Sequence, residues 1–137
     1  MKQHTTNHIN TLILPAEDAP VHHSELPPVK DKPSVANLQL ELIAANPYTY
    51  TSDDVLFTVF ADRNNIPQHK RKEAREEFFS KGQACLRASP LTKRYGWAVH
   101  NDAEGKVALV DTSSQEFTEL KSDESILKVK AMRSSRK

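Results

Sequence analysis

The chain predicts an α+β fold: an N-terminal arm and three helices followed by a small antiparallel sheet. Three observations carry this. Apolar residues recur at helical spacing through the middle of the chain, from Ser34 to Lys81. They alternate at period two in later segments, around Trp97–His100 and Ile126–Met132. The helical block precedes the strand block rather than interleaving with it, which favours α+β over a doubly wound parallel sheet.

Residues 1–33 are rich in Pro, His, Thr, Asn and charge, and five of the eight prolines fall between Pro15 and Pro33. This reads as an extended arm lying over the surface. Ile9–Leu14 (INTLIL) is its one strand-like stretch, able to pair with a sheet edge. Ser34 opens the first helix, over about 34–45. Its Val35, Leu38, Leu42 and Ala45 form a stripe widened by Ile43, and Asn46-Pro47 ends it. Tyr48-Thr49-Tyr50 is a linker. Thr51 or Ser52 then caps a segment over about 52–64, with Asp53 and Asp54 where negative charge complements the helix dipole. Its Val55–Phe60 stretch is β-branched and aromatic enough for a strand, but Val55, Leu56, Val59 and Phe60 pair at i, i+4, which suits a helix better.

Gln68–Lys81 is the clearest helix, with Ala74, Phe78 and Phe79 as its apolar side and Gly82 at the C′ position. Its cations Lys70, Arg71 and Lys72 crowd the N-terminal end, where they oppose the dipole. They form either a contact surface or a solvated helix end.

Gln83–Val110 holds the densest local signals. Ser89-Pro90 is an N-cap followed by Pro at the first helical position, and Gly96 stops that turn. Strands over about 96–100 and 106–111 flank the hairpin loop Asn101–Gly105. The period of two places Trp97 and Val99 on the core face, with Ala98 and His100 opposite. Gln115–Lys121 is a short helix or turn, and 126–132 is an edge strand with Lys128 and Lys130 on one face. The chain thus divides into an arm over 1–33, a single α+β domain over 34–133 and a basic tail over 134–137.

Leu, Ile, Val and Phe make up 31 of 137 residues, about 23%, little above the level of roughly 20% where disorder becomes the default. The net charge is +1. Residues 1–61 hold three Lys/Arg against seven Asp/Glu (net −4), and residues 62–137 hold sixteen against eleven (net +5). That asymmetry hints at an anionic partner for the second half. A single Cys allows no internal disulfide and suits a reducing, cytoplasmic compartment. The longest nearly apolar run, Val55–Ala61, is far short of the roughly 20 residues a membrane helix needs.

Glycines at 82, 96 and 105 make no phosphate-binding loop, and CxxC and HExxH are absent, so no cofactor and no metal site are expected. Cys85 and His100 could meet if the hairpin packs on the segment before it, with Arg87 and Lys93 supplying a positive field to a nucleophilic thiol. A free Cys is more often simply buried. The better functional candidate is a basic constellation of Arg87, Lys93, Arg94 and Lys106, with Tyr95 and Trp97 nearby. Forked donors and aromatic faces suit a phosphate-bearing ligand or a nucleic acid, and the N–H groups of the Ser89-Pro90 turn would add to the field. The reading that fits best is a binding module for such an anion. A small enzyme using Cys85 or His100, and an interaction module working through arm and tail, stay open.

Several stretches together carry a resemblance: NTLI at Asn10–Ile13, AED at Ala16–Asp18, NPYTYTSDDVLF at Asn46–Phe57, FFSKGQACLRASPLTKRYGW at Phe78–Trp97, EGKVAL at Glu104–Leu109 and KAMRS at Lys130–Ser134. The chain resembles, over nearly its whole length, a small uncharacterised microbial family classed as a domain of unknown function. The resemblance implies a complete protein whose arm belongs to the fold. It implies no activity, ligand or catalytic residue.

Overall fold

The computed structural model describes residues 4–133; the basic tail over 134–137 lies outside them. Its centre is a four-stranded sheet of order β3-β2-β1-β4, formed by β1 (Thr11–Leu14), β2 (Ala98–Asn101), β3 (Val107–Val110) and β4 (Leu127–Lys130). The fold is α+β, but the sheet is mixed rather than purely antiparallel. β1 pairs antiparallel with β2, and β2 with β3, whereas β1 and β4 run parallel. The cause is helix α5 (Gln115–Ser122). It carries the chain from β3 across one sheet face to the far edge, and a helical crossover delivers a parallel strand where a tight turn cannot.

The strand in the arm also differs from the expectation. β1 lies inside the sheet rather than on its edge, with Leu12 and Ile13 both 0% exposed. Its two faces enter different cores. Ile13 packs with Val99, Val107, Ile43 and Val55, beneath helices α1 (Val35–Ala45) and α2 (Ser52–Arg63). Leu12 packs with Ala98, Val110 and Ile126, joined by Phe117 and Leu120 of α5. A strand apolar on consecutive residues is what a sheet covered on both faces requires. For the same reason Ala98, expected to face away from the core, is fully buried.

Local chemistry sets the helix starts. Ser34 accepts from Asn37 N–H and the Asn37 side chain accepts from Ser34 N–H, a reciprocal capping box. Thr51 and Asp54 repeat it for α2, which resolves 52–63 as helix. The expected helix over 68–81 is divided into a 3-10 turn at Gln68–Lys70 and α3 (Arg71–Phe78). Arg71 reaches back, Nε to the Ile66 carbonyl and Nη2 to Asp62, each at 2.9 Å. One of the crowded cations therefore fastens α3 to the end of α2. The helix stops at Phe79, whose buried ring joins Phe57 and Ala61, so Gly82 is not its cap.

α4 (Pro90–Lys93) begins at Ser89 with Pro at its first turn, and Gly96 follows at φ +74°. The β2–β3 loop is held by Asp102, whose Oδ1 accepts from the N–H groups of Glu104 and Lys106, both at 2.9 Å. The Tyr48–Tyr50 segment lies against β3, with Tyr48 N–H donating to Val107 O and Val107 N–H to Tyr50 O. The arm is strapped along its length. Thr5 and Thr6 hydroxyls donate to the Asp53 carboxylate at 2.7 Å, Ala16 N–H to Thr92 O at 3.0 Å, and Glu25 N–H to Tyr95 O at 2.8 Å.

Candidate functional site

Beside α4 the arm stands off the domain and leaves an open cleft of about 380 Å³. The arm supplies Pro28 and Lys30, the first turn of α1 supplies Ser34, Val35 and Ala36, and the α4 region supplies Ala88, Pro90, Lys93, Arg94 and Tyr95. Each wall is fixed. Asn37 Nδ2 donates to Pro28 O at 3.1 Å, holding the arm to α1. Ser89 Oγ donates to Gln39 Oε1 at 2.5 Å in a buried contact that ties the start of α4 to α1.

The cleft wall has three cations and no carboxylate. Among the described residues Lys30, Lys93 and Arg94 take part in no ion pair. Four other surface concavities each carry an aspartate or glutamate, so an anion would meet like charge in each of them. The Val35 and Ala36 amides, at the first two helical positions of α1, have no intrahelical acceptor. The Ser89-Pro90 turn does not add such donors: Ser89 is buried, and its own oxygens take the N–H groups of Leu91, Thr92 and Lys93.

The structure therefore brings together two of the four cations singled out in the sequence and sends the other two elsewhere. Arg87 donates from Nε to Lys130 O at 2.7 Å, and its carbonyl accepts from Met132 N–H at 2.8 Å. It staples the end of β4. Lys106 sits at the hairpin tip, bridged to Thr51, at the opposite end of β2 from α4. Lys30 was not singled out, and no local signal marks it; the arm carries it in. The aromatic lining is Tyr95. Trp97 precedes β2 and is neither fully in the core nor on the cleft. Half-buried, it donates from Nε1 to the Glu25 carbonyl at 2.8 Å and so anchors the arm.

Cys85 is partly exposed ahead of the 3-10 turn Leu86–Ala88. His100 bonds instead to Tyr48, Nδ1 to Oη at 2.8 Å with the rings edge-on. Tyr48 holds a left-handed backbone, φ +56°, uncommon for a bulky residue. Burial raises the Tyr48 hydroxyl above its ordinary value, helped by Glu116 and Asp102. Burial also holds His100 below the ordinary imidazole value, against the pull of Asp102, Glu116 and Asp123. His8 is lowered by burial and then by Arg87. Among the described residues no three His, Cys, Asp or Glu side chains gather in metal-binding range.

Both depressed histidines give a pH dependence with a definite sign. Between their folded values and the ordinary 6.5, the unfolded chain binds more protons than the folded one. Stability therefore rises with pH across that window, is complete above it, and is lost as pH falls below about 6.5. Thermal melts at about pH 7.5 and 5.5 should show a lower Tm at the acid value. The drop should shrink in a His8→Asn/His100→Asn variant. An equal drop in both proteins would assign the effect to other groups.

The fold and the cleft define a class: a small α+β protein with a built basic cleft. The chain belongs to a family of unknown function, DUF6157, whose model matches residues 3–137. No curated protein and no solved structure matches it. Among the described residues no helix is long and apolar enough to cross a membrane.

Proposed function

We propose that this protein is a cytosolic binding module for a small phosphate-bearing ligand, taken into the cleft between the arm, α1 and α4. One observation carries the reading: Lys30, Lys93 and Arg94 converge on one cleft, unpaired by any carboxylate of its lining. Arg94 offers a planar fork that matches phosphate oxygens, and the lysines act as point charges. Tyr95 presents a ring on which an apolar or aromatic part of the ligand can rest. The volume suits a mononucleotide-sized molecule rather than a polymer, since small-molecule sites run from about 300 to 1,000 Å³. A nucleic-acid track would string its cations along a groove, and Arg87 and Lys106 lie elsewhere. The lone Cys supports the cytosolic placement, because it leaves no internal disulfide to form.

The test is a calorimetric titration with inorganic phosphate, common nucleoside monophosphates and a short single-stranded oligonucleotide, each at two salt concentrations. One of the small phosphates should bind saturably at a single site. Lys93→Ala/Arg94→Ala should weaken it at least about tenfold, since hydrogen bonds to charged groups contribute about 1.5–3 kcal/mol each. Arg87→Ala/Lys106→Ala should leave it unchanged. If no phosphate binds at millimolar concentration in low salt, the cleft is only a solvated surface. If the oligonucleotide binds best and both double variants weaken it alike, the partner is a nucleic acid.

A further inference from the structure

The two edges of the sheet are not alike. β3 is covered in part by the Tyr48–Tyr50 segment, whereas β4 has a stretch of main chain that no described residue pairs. Leu127 N–H donates to Asn10 O at 2.9 Å and Ala131 N–H to Leu14 O at 2.8 Å. Leu127, Val129 and Ala131 thus turn their main-chain groups toward β1, and Lys128 and Lys130 turn theirs outward. The Lys130 carbonyl agrees, accepting Arg87 Nε from outside the sheet. Arg87 and Met132 close the C-terminal end of this edge. Ahead of them, the Lys128 N–H and C=O and the Lys130 N–H have no partner among the described residues.

We propose that the β4 edge takes an extended acidic peptide segment as a fifth strand. Unpaired N–H and C=O groups on an edge are a template for another chain, and strand addition draws its affinity from them. The side chains select the occupant. Lys128 and Lys130 share one face, with the Arg87 guanidinium at the end of the strand. Among the described residues the Lys130 ammonium pairs with Glu17 at 3.2 Å, an exposed contact that an incoming carboxylate can replace. Lys128 Nζ donates to the Asp123 backbone carbonyl and its charge also favours the Asp123 carboxylate, an exposed interaction that an incoming carboxylate can replace. The other face offers Leu127, 62% exposed, and half-buried Val129. The fitting segment therefore alternates, with acidic residues opposite the lysines and apolar residues opposite Leu127 and Val129. A second copy of this chain fits poorly, because antiparallel pairing about Val129 would set Lys128 against Lys130 of the other copy, and like charges directly opposite are destabilising.

This inference goes beyond the cleft, which neither lysine lines. The test is fluorescence anisotropy of the full chain in about 50 mM salt with two short labelled peptides, one alternating valine and glutamate, the other with lysine for each glutamate. The acidic peptide should bind and the basic one should not. Lys128→Pro removes an N–H that points away from the ladder, a change edge strands tolerate. The variant should keep its fold by circular dichroism and bind the acidic peptide about tenfold more weakly or worse. Lys128→Glu/Lys130→Glu should abolish that binding, and it decides the matter if Lys128→Pro does not fold. The proposal is overturned by a folded Lys128→Pro that binds like wild type, by a charge-reversed variant that still binds the acidic peptide, or by no binding to wild type. Concentration-dependent dimerisation of wild type that Lys128→Pro removes would assign the edge to a second copy instead.

Discussion

Gly96→Ala should destabilise this protein by about 2–5 kcal/mol. Two effects add. Gly96 sits at φ +74°, where an L side chain is strained. A Cβ there would also lie 2.4 Å from the backbone carbonyl oxygen of His23. That neighbour is main chain and cannot rotate aside. It is also held in place: Ser24 Oγ donates to the Gly96 carbonyl at 2.9 Å, and Glu25 N–H donates to Tyr95. The substitution must lift the arm or distort the turn that ends α4. Either way Lys30 and the α4 cations separate, so the phosphate binding proposed for the cleft should fall along with stability. Urea unfolding checks the first consequence, and the Tm should fall by roughly 8–20 °C. Gly82→Ala is the control, since nothing lies within 4 Å of its added Cβ and its φ is ordinary; it should be within about 0.5 kcal/mol of wild type. Equal midpoints for the two variants would show that the arm does not pack on Gly96.

The second large effect is expected from the arm's strand. Ile13→Ala should cost about 2–5 kcal/mol, the range for deleting a buried aliphatic side chain that leaves a cavity. Ile13 is 0% exposed and touches the core shared by α1, α2 and the sheet. Leu26→Ala and Val29→Ala, in the same arm but 72% and 95% exposed, should be close to neutral. The contrast separates two readings of residues 1–33. If the arm were an appendage, all three variants would melt like wild type. If it supplies the central strand, only Ile13→Ala will collapse the midpoint. Proteolysis should follow the same division, with Ile13→Ala cleaved within the domain.

Parts of this fold are legible because their causes are local. The capping pairs Ser34/Asn37 and Thr51/Asp54 act across three residues, and they start α1 and α2 where the residues say they start. Ser89-Pro90 and Gly96 mark the two ends of the α4 turn for the same reason. Asp102 and Gly105 build the hairpin loop from within. Lys93 and Arg94 are adjacent on one turn, so their joint presentation is also local.

What the chain's order could not reveal depends on distant partners. Ile9–Leu14 reads as an apolar stretch in a polar, Pro-rich arm. Whether it becomes an edge or a central strand depends on β2 and β4, about ninety residues and more away, pairing on both its sides. Alternation along Trp97–His100 implied one buried face, but α5 covers the second, so Ala98 is as buried as Val99. Arg87, Lys93, Arg94 and Lys106 look like one cluster because they are close in sequence. The turn and hairpin between them point the outer two at β4 and Thr51, and the third cation of the cleft, Lys30, arrives from sixty residues upstream on the arm. By itself the sequence determined the caps, turns, helix periods and family membership, whose causes act within a few residues or along the whole string. The tertiary structure alone decided strand order, the parallel placement of β4 and the assembly of the basic cleft. Those follow from which distant surfaces bury each other, a free energy no short window of residues contains.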